Sequence, residues 1–199
     1  MKTAPGIAAI RAALEPDSAF AEAVEGDACR WQGKIFGAHT LDVRLADGTR
    51  GYREIVRHHG GAGVVALDGD GRVCLVRQYR VALGRMTLEV PAGKLERGEK
   101  GAVCAARELA EETGLRAGRM EPLVTVLGSP GFTDEHTEVF FARDLRQGQA
   151  RPDSGELVSA LWFPLGDVVE AVLEGVIQDG KTASGVLAAK ALLDSGDRC

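Results

Sequence analysis

Cysteine pairing is missing from this chain of 199 residues. Cys29, Cys74, Cys104 and Cys199 stand apart, with no C-x-x-C spacing and no histidine partner nearby. That argues against a zinc site or a disulfide framework and points to reduced thiols in a cytoplasmic setting. Long apolar runs are missing too. The N-terminus soon meets Arg11, Glu15, Asp17 and Glu22, which leaves no room for a signal-peptide core. No stretch approaches the roughly 20 apolar residues that span a bilayer, so no membrane partner is expected. A basic excess is also lacking: 24 Lys and Arg stand against 29 Asp and Glu, a net charge of −5. Nucleic acid is therefore not an expected partner, because binding to a phosphate backbone needs a basic footprint. A small anionic substrate needs only a few local cations and stays open. No internal repeat or low-complexity segment stands out.

What is present is the balance of an ordinary globular protein, 45% hydrophobic and 27% charged. The length suits one sizeable core, or a core with an appended segment. The alanine-rich first 25 residues read as a helix or a poorly ordered lead-in. From Cys29 the pattern changes: Ile35, Phe36, Leu41, Val43 and Leu45 alternate roughly with polar residues. Asp47-Gly48 then marks a hairpin turn before a strand at 52–56. Further strands are expected at 63–67 and 73–76, separated by Asp68-Gly69-Asp70-Gly71, and at 121–127, 138–142 and 159–163. Helices are expected at 101–113, closed by Gly114, and at 166–173 and 181–193. This is an α+β arrangement rather than βαβ repetition. The one subdivision falls near residue 57, giving segments 1–57 and 58–199.

The middle helix ends Arg107-Glu108-Leu109-Ala110-Glu111-Glu112-Thr113-Gly114. Glu108, Glu111 and Glu112 sit at i, i+3 and i+4, so they share one face. Two effects oppose this. Like charges at that spacing repel by roughly 0.2–0.5 kcal/mol per pair. Glutamates in a last turn also meet the negative end of the helix dipole. A divalent cation reverses both penalties, since clustered carboxylate oxygens suit Mg²⁺ or Mn²⁺. The bland alternative, a solvated acidic face, is common for three glutamates taken alone.

The flanking residues overturn it. Gly93, Glu99, Arg107, Glu108, Leu109, Glu111, Glu112, Gly114 and Leu115 spell G-x5-E-x7-R-E-U-x-E-E-x-G-U, with U aliphatic. At about 7% usage per residue type, seven fixed positions coincide by chance on the order of once in 10⁸ trials. This is the Nudix signature, without departures, and the chain is identified on it as resembling the Nudix hydrolases. The resemblance implies an α/β/α sandwich with a mixed sheet in 58–199, preceded by an N-terminal antiparallel strand segment. It implies Glu108 and Glu112 as principal metal ligands, Glu111 as a third, and the Ala92 carbonyl as a further oxygen. Glu99 and Arg107 would hold the loop against the helix, while Gly93 and Gly114 serve backbone geometry.

Two stretches outside the box resemble the ADP-ribose pyrophosphatase subfamily: Val76-Arg77-Gln78-Tyr79-Arg80 with Leu88-Glu89-Val90-Pro91-Ala92-Gly93, and Ser129-Pro130-Gly131-Phe132-Thr133-Asp134-Glu135. Ser-Pro-Gly alone is an ordinary turn. In this setting Glu135 is the expected general base, with Glu138 as the fallback. Arg53 and Arg80 are expected on the diphosphate, since a guanidinium fork matches phosphate oxygens. Glu89 is expected to reach a ribose hydroxyl. The subfamily is typically a homodimer through its N-terminal strands, a role open to residues 29–57, and Trp31 is the residue expected to stack on adenine, against the alternative of plain packing. Relatives often carry His-Pro-Gly where this chain has His58-His59-Gly60-Gly61. Adjacent strand residues face opposite ways, so a metal site on the two histidines is not expected. The expected reaction is hydrolysis of ADP-ribose to AMP and ribose 5-phosphate. The alternatives are a GDP-mannose or other nucleotide-sugar or dinucleotide pyrophosphatase, and a nucleotide-sensing domain that does not hydrolyse. The complete box speaks against the last.

Overall fold

The structure is a computed structural model describing residues 5–152, 155 and 157–196; Cys199 and the first four residues of the N-terminal lead-in lie outside it. Two compact units divide the chain, Met1–Arg57 and His58–Cys199.

In the first unit, helix α1 (Pro5–Ala12) and a 3-10 turn at Ser18–Phe20 lead into strands β1 (Glu22–Gln32), β2 (Phe36–Leu45) and β3 (Arg50–His58), which form a sheet in that order. The lead-in expected to run to residue 25 therefore stops earlier, and a strand begins at Glu22. Local propensity did not foretell it. Pairing makes it: β1 runs antiparallel to β2 from Glu22 opposite Leu45 to Gln32 opposite Gly37. Arg44 Nε bonds Glu25 at 2.6 Å and His39 bonds Asp27 at 2.6 Å across the two strands. The hairpin at Asp47-Gly48 is formed, with Asp47 accepting from Thr49 N at 2.9 Å and Gly48 at φ 85°.

In the second unit, seven strands make one mixed sheet. These are β4 (Gly61–Leu67), β5 (Arg72–Arg80), β6 (Arg85–Glu89), β7 (Ala92–Lys94), β8 (Leu115–Leu127), β9 (His136–Gln147) and β10 (Val158–Pro164). The main order is β10-β5-β4-β9-β8, with β6 beside β5 and β7 beside β4. Only β4 and β9 run parallel among these pairs. Every residue of β4 is buried, as a central strand covered on both faces requires. Its side chains alternate between two cores. Val65 and Leu67 join Val139, Phe141, Val168 and Val186 under helices α3 (Leu165–Leu173) and α4 (Gly180–Asp194). Ala62, Val64 and Ala66 join Cys104, Ala105, Leu109 and Phe140 under helix α2 (Gly101–Thr113). The result is an α/β/α sandwich. Short strands β6 and β7 escaped the sequence reading, and β8 begins at Leu115 rather than Glu121. Among the described residues no helix is long and apolar enough to cross a membrane.

Helix α2 stops where the sequence says it should. Gly114 takes the left-handed conformation, φ 75°, and its N–H returns to Ala110 O at 3.0 Å. A side chain there would place Cβ 2.7 Å from Ala150 N and 2.8 Å from Gly148 O, both backbone atoms. Gly114→Ala is expected to lose roughly 2 kcal/mol or more of unfolding free energy. Urea titration measures it, and a loss under about 0.5 kcal/mol would show that the cap tolerates a side chain.

Candidate active site

The last two turns of α2 carry the acidic cluster, and one guanidinium organises it. Arg107 donates from Nε and Nη2 to the two oxygens of Glu99, both at 3.0 Å, and from Nη2 to Lys94 O at 3.3 Å. Its Nη1 reaches Glu108 Oε1 at 2.7 Å and Glu111 Oε2 at 3.0 Å. Glu99 also accepts from Glu96 N at 3.0 Å. The Arg107 hydrogen bonds, then that backbone N–H, hold the Glu99 carboxyl down at about 2. The pairing of Glu99 with Arg107 thus pins the loop before α2 onto the helix.

The carboxylates of Glu108 and Glu112 converge on the Ala92–Gly93 backbone. Ala92 N donates to Glu112 Oε2 at 2.9 Å. A Cβ on Gly93 would lie 1.9 Å from Glu108 Oε1, so only glycine leaves room for that carboxylate. Glu112 is buried and Glu108 nearly so, while Glu111 is more open. Among the described residues no group of three or more His, Cys, Asp or Glu stands ready to hold a metal ion. The hydrogen bonds explain this: Arg107 draws Glu108 and Glu111, while Glu112 turns to a backbone amide. The donor set itself fits a hard divalent cation, with buried carboxylate oxygens beside a backbone segment. No soft ligand competes. Burial, with the Glu99 charge second, pushes the Cys104 thiol up to about 12; burial, then the Glu112 charge, does the same for Cys74.

A second charged network surrounds Glu89, at the end of β6 just before that segment. Glu89, 3% exposed, accepts from Arg80 Nε and Nη2, both at 2.7 Å, from Thr87 Oγ1 at 2.7 Å and from Lys181 Nζ. Lys181 also bonds Asp179 at 2.9 Å. Burial raises the Glu89 carboxyl, but the Arg80 bonds and the Lys181 charge outweigh it and bring it to about 2. Arg80 and Glu89, expected separately on substrate, are therefore fastened to each other. Lys181 and Asp179 were not foreseen. Lys181 opens a helix 92 residues beyond Glu89, and no sequence spacing announces the contact.

Glu135 lies on the loop between β8 and β9. Its side chain is 47% exposed, with Oε1 at 3.9 Å from His58 Nδ1. Asp134 Oδ1 accepts from His58 N at 2.8 Å, and the His136 ring covers Gly60. Gly60 O in turn accepts from Leu95 N at 3.1 Å, just past the end of β7, the strand that holds Gly93. Glu138 points elsewhere: its carboxylate lies against Gly101 at the start of α2, 2.4 Å from where a Cβ would be. Arg53 and Trp31 belong to the first unit. Arg53 is bonded to Glu22 there, with Nε to Oε2 at 3.0 Å, and Trp31 packs on Phe36 with ring centroids 5.1 Å apart.

The NUDIX domain family model matches residues 57–183. The chain is a Nudix hydrolase. It is 37% identical over 158 residues to the ADP-ribose pyrophosphatase of Bacillus subtilis (strain 168), covering 78% of this chain and 85% of that one. It is 33% identical over 155 residues to the GDP-mannose pyrophosphatase of Cronobacter sakazakii (strain ATCC BAA-894), covering 72% and 81%. In three dimensions it matches a solved structure described as an ADP compounds hydrolase, with a TM-score of 0.79 at 20% identity over 92% of this chain and 100% of that chain. That match establishes the fold. Nudix hydrolases in general depend on divalent cations, which agrees with the donor set on α2.

The Glu89 network makes this Nudix hydrolase sensitive to acid. The folded carboxyl, at about 2, lies below its ordinary 4.5, so its stabilisation is complete above about pH 4.5 and is lost as the pH falls toward 2. Glu89→Gln is expected to be less stable near neutrality. Its acid limb should be shallower by up to about 1.4 kcal/mol per pH unit, one proton's worth. Urea midpoints measured from about pH 6 downward test this, and an unchanged slope would remove Glu89 from the acid response.

Proposed function

We propose that this Nudix hydrolase cleaves the diphosphate of ADP-ribose, giving AMP and ribose 5-phosphate, with Mg²⁺ or Mn²⁺ held by Glu108, Glu111, Glu112 and the Ala92 carbonyl. The observation that carries the reading is the convergence of Glu108 and Glu112 on Ala92–Gly93 beside a guanidinium, Arg80, oriented by Glu89. The substrate is supported by the likeness to the Bacillus subtilis ADP-ribose pyrophosphatase. A divalent cation bound there supplies Lewis-acid neutralisation of the diphosphate charge.

The protein's own groups do the rest. Arg80 spends Nε and Nη2 on Glu89, which fixes the plane of its fork, and its side chain stays 42% exposed, within reach of a phosphate oxygen. Glu89 serves the substrate through Arg80, since both its oxygens are engaged. Glu135, exposed on its loop, takes the proton of a water that attacks one phosphorus; the P–O bond of the bridging oxygen breaks and the second phosphate leaves. Arg53 and Trp31, in the first unit, are the residues proposed for the diphosphate and for adenine. A second copy of the chain is proposed to join through the first unit, where Val24, Trp31 and Tyr52 are each more than half exposed. The free thiols of Cys29, Cys74 and Cys104 suit a cytoplasmic setting. A second reading, GDP-mannose as substrate, is favoured by the likeness to the Cronobacter sakazakii enzyme.

Hydrolysis of ADP-ribose, GDP-mannose, NADH and diadenosine polyphosphates, each with Mg²⁺ and with Mn²⁺, separates the readings. ADP-ribose is expected to give the highest kcat/KM, and a preference for GDP-mannose would overturn the substrate. Glu135→Gln is expected to lower kcat by about 10²-fold or more. Turnover at the wild-type rate would move the general base elsewhere.

A further inference from the structure

The backbone that faces the acidic cluster is fastened from behind by the first turn of α4. Val90 follows the last paired residue of β6, Glu89, which stands opposite Val76. Val90 is 1% exposed, so its N–H has neither a ladder partner on that strand nor water. It donates instead to Thr182 Oγ1 at 2.9 Å, across 92 residues of sequence. Thr182 is 0% exposed, and its own hydroxyl hydrogen goes to Asp179 Oδ2 at 2.6 Å. Asp179 Oδ2 also accepts from Thr182 N at 3.0 Å, the ordinary duty of a helix cap. The cap does more than close a helix. Through the threonine hydroxyl it reaches Val90, and through Lys181, bonded to both Asp179 and Glu89, it reaches the preceding residue. Two residues after Val90, Ala92 N meets Glu112 at 2.9 Å, and Gly93 leaves the space filled by Glu108.

We propose that Thr182, with Asp179 and Lys181, is a positioning residue for the cation-binding backbone: the first turn of α4 fixes Glu89–Ala92 and thereby sets the affinity of the α2 carboxylates for a divalent cation. The inference rests on the reading of Glu108, Glu112 and Ala92 as cation ligands. An ordinary N-cap would need only the Thr182 amide. The relay from Asp179 through the Thr182 hydroxyl to Val90 joins the α4 face of the sheet to a segment whose other side meets α2.

The test uses the full chain, first without metal and then titrated with Mn²⁺. Thr182→Val keeps the shape but removes the hydroxyl, and Thr182→Ser restores it. In the metal-free protein, amide hydrogen exchange of Ala92 is expected to quicken about tenfold in the Val variant, while the core amides of Val65 and Leu109 keep their rates. The Mn²⁺ dissociation constant, read by calorimetry, is expected to rise by about tenfold, as when a metal site loses its supporting shell. The Ser variant is expected near wild type in both. Asp179→Asn, which keeps a cap oxygen but weakens the hold on Lys181 and Thr182, should shift both readouts in the same direction by less. A Val variant that only melts earlier, with Ala92 exchange and Mn²⁺ affinity unchanged, would overturn the proposal, as would a Ser variant as impaired as the Val one. If the wild type binds no Mn²⁺, the ligand reading fails and the affinity claim with it, while Ala92 exchange still decides the positioning.

Discussion

The guanidinium of Arg107 is the constraint on which the acidic cluster depends. It holds the carboxylates of Glu99, Glu108 and Glu111 and the carbonyl of Lys94 at once. Without a cation, glutamates at i, i+3 and i+4 near a helix C-terminus repel one another and the helix dipole. Arg107 offsets both from within the same helix, and its partial burial beside them strengthens each bond. Its anchor on Glu99 matters as much as its charge. A lone arginine would follow its acidic partners, but one clamped by both oxygens of a carboxylate on another segment fixes where they stand. The loop before α2 is thereby made part of the site.

That clamp works only because the backbone opposite α2 comes close. Gly61 approaches Gly93 O so nearly that a Cβ would lie 2.9 Å from it, and Gly63 would meet the Ala92 side chain at 3.3 Å. Small residues on β4 thus let the three-residue strand β7 lie against it, and β7 presents Gly93 to Glu108. On the far face Gly185 of α4 does the same, with Val65 and Val139 each 2.9 Å from its missing Cβ. Close packing thus holds the sheet from both faces, and the short segment Ala92–Gly93 lies against β4 on one side and meets the α2 carboxylates on the other.

Legibility in the sequence followed the range of the interactions. Helix α2 was read to the residue because its signals are local: apolar positions at helical spacing, glutamates three and four apart, and a glycine at the left-handed stop. The buried run of β4 was readable for the same reason. Strand β1 was not, because Glu22, Ala23 and Glu25 favour no strand by themselves and become one through cross-strand partners on β2. The start of β8 was missed because Arg116-Ala117-Gly118-Arg119 shows no alternation, and strands of three to five residues such as β6 and β7 are too short to show any. The site divides the same way. The glutamates were visible as a pattern. The mutual capture of Arg80 and Glu89 was not, nor was the reach of Asp179, Lys181 and Thr182 across the fold, because each is a contact between segments that only the sheet brings together.

The two charge networks differ in what they leave open. On α2, carboxylates outnumber the single guanidinium among them, so that side of Ala92–Gly93 retains an appetite for positive charge. Around Glu89, two cations share one buried carboxylate with Asp179 close by, so the charges are balanced and the network gains rigidity. Such a segment, fixed behind and electrostatically unsatisfied in front, is preorganised for a cation and a polyanion together. Glu135 stands outside both networks: its backbone is tied through neighbouring Asp134 and Thr133, while its carboxyl remains exposed. The general-base role proposed for Glu135 would gain from that looseness, whereas groups that hold charge in place gain from the opposite.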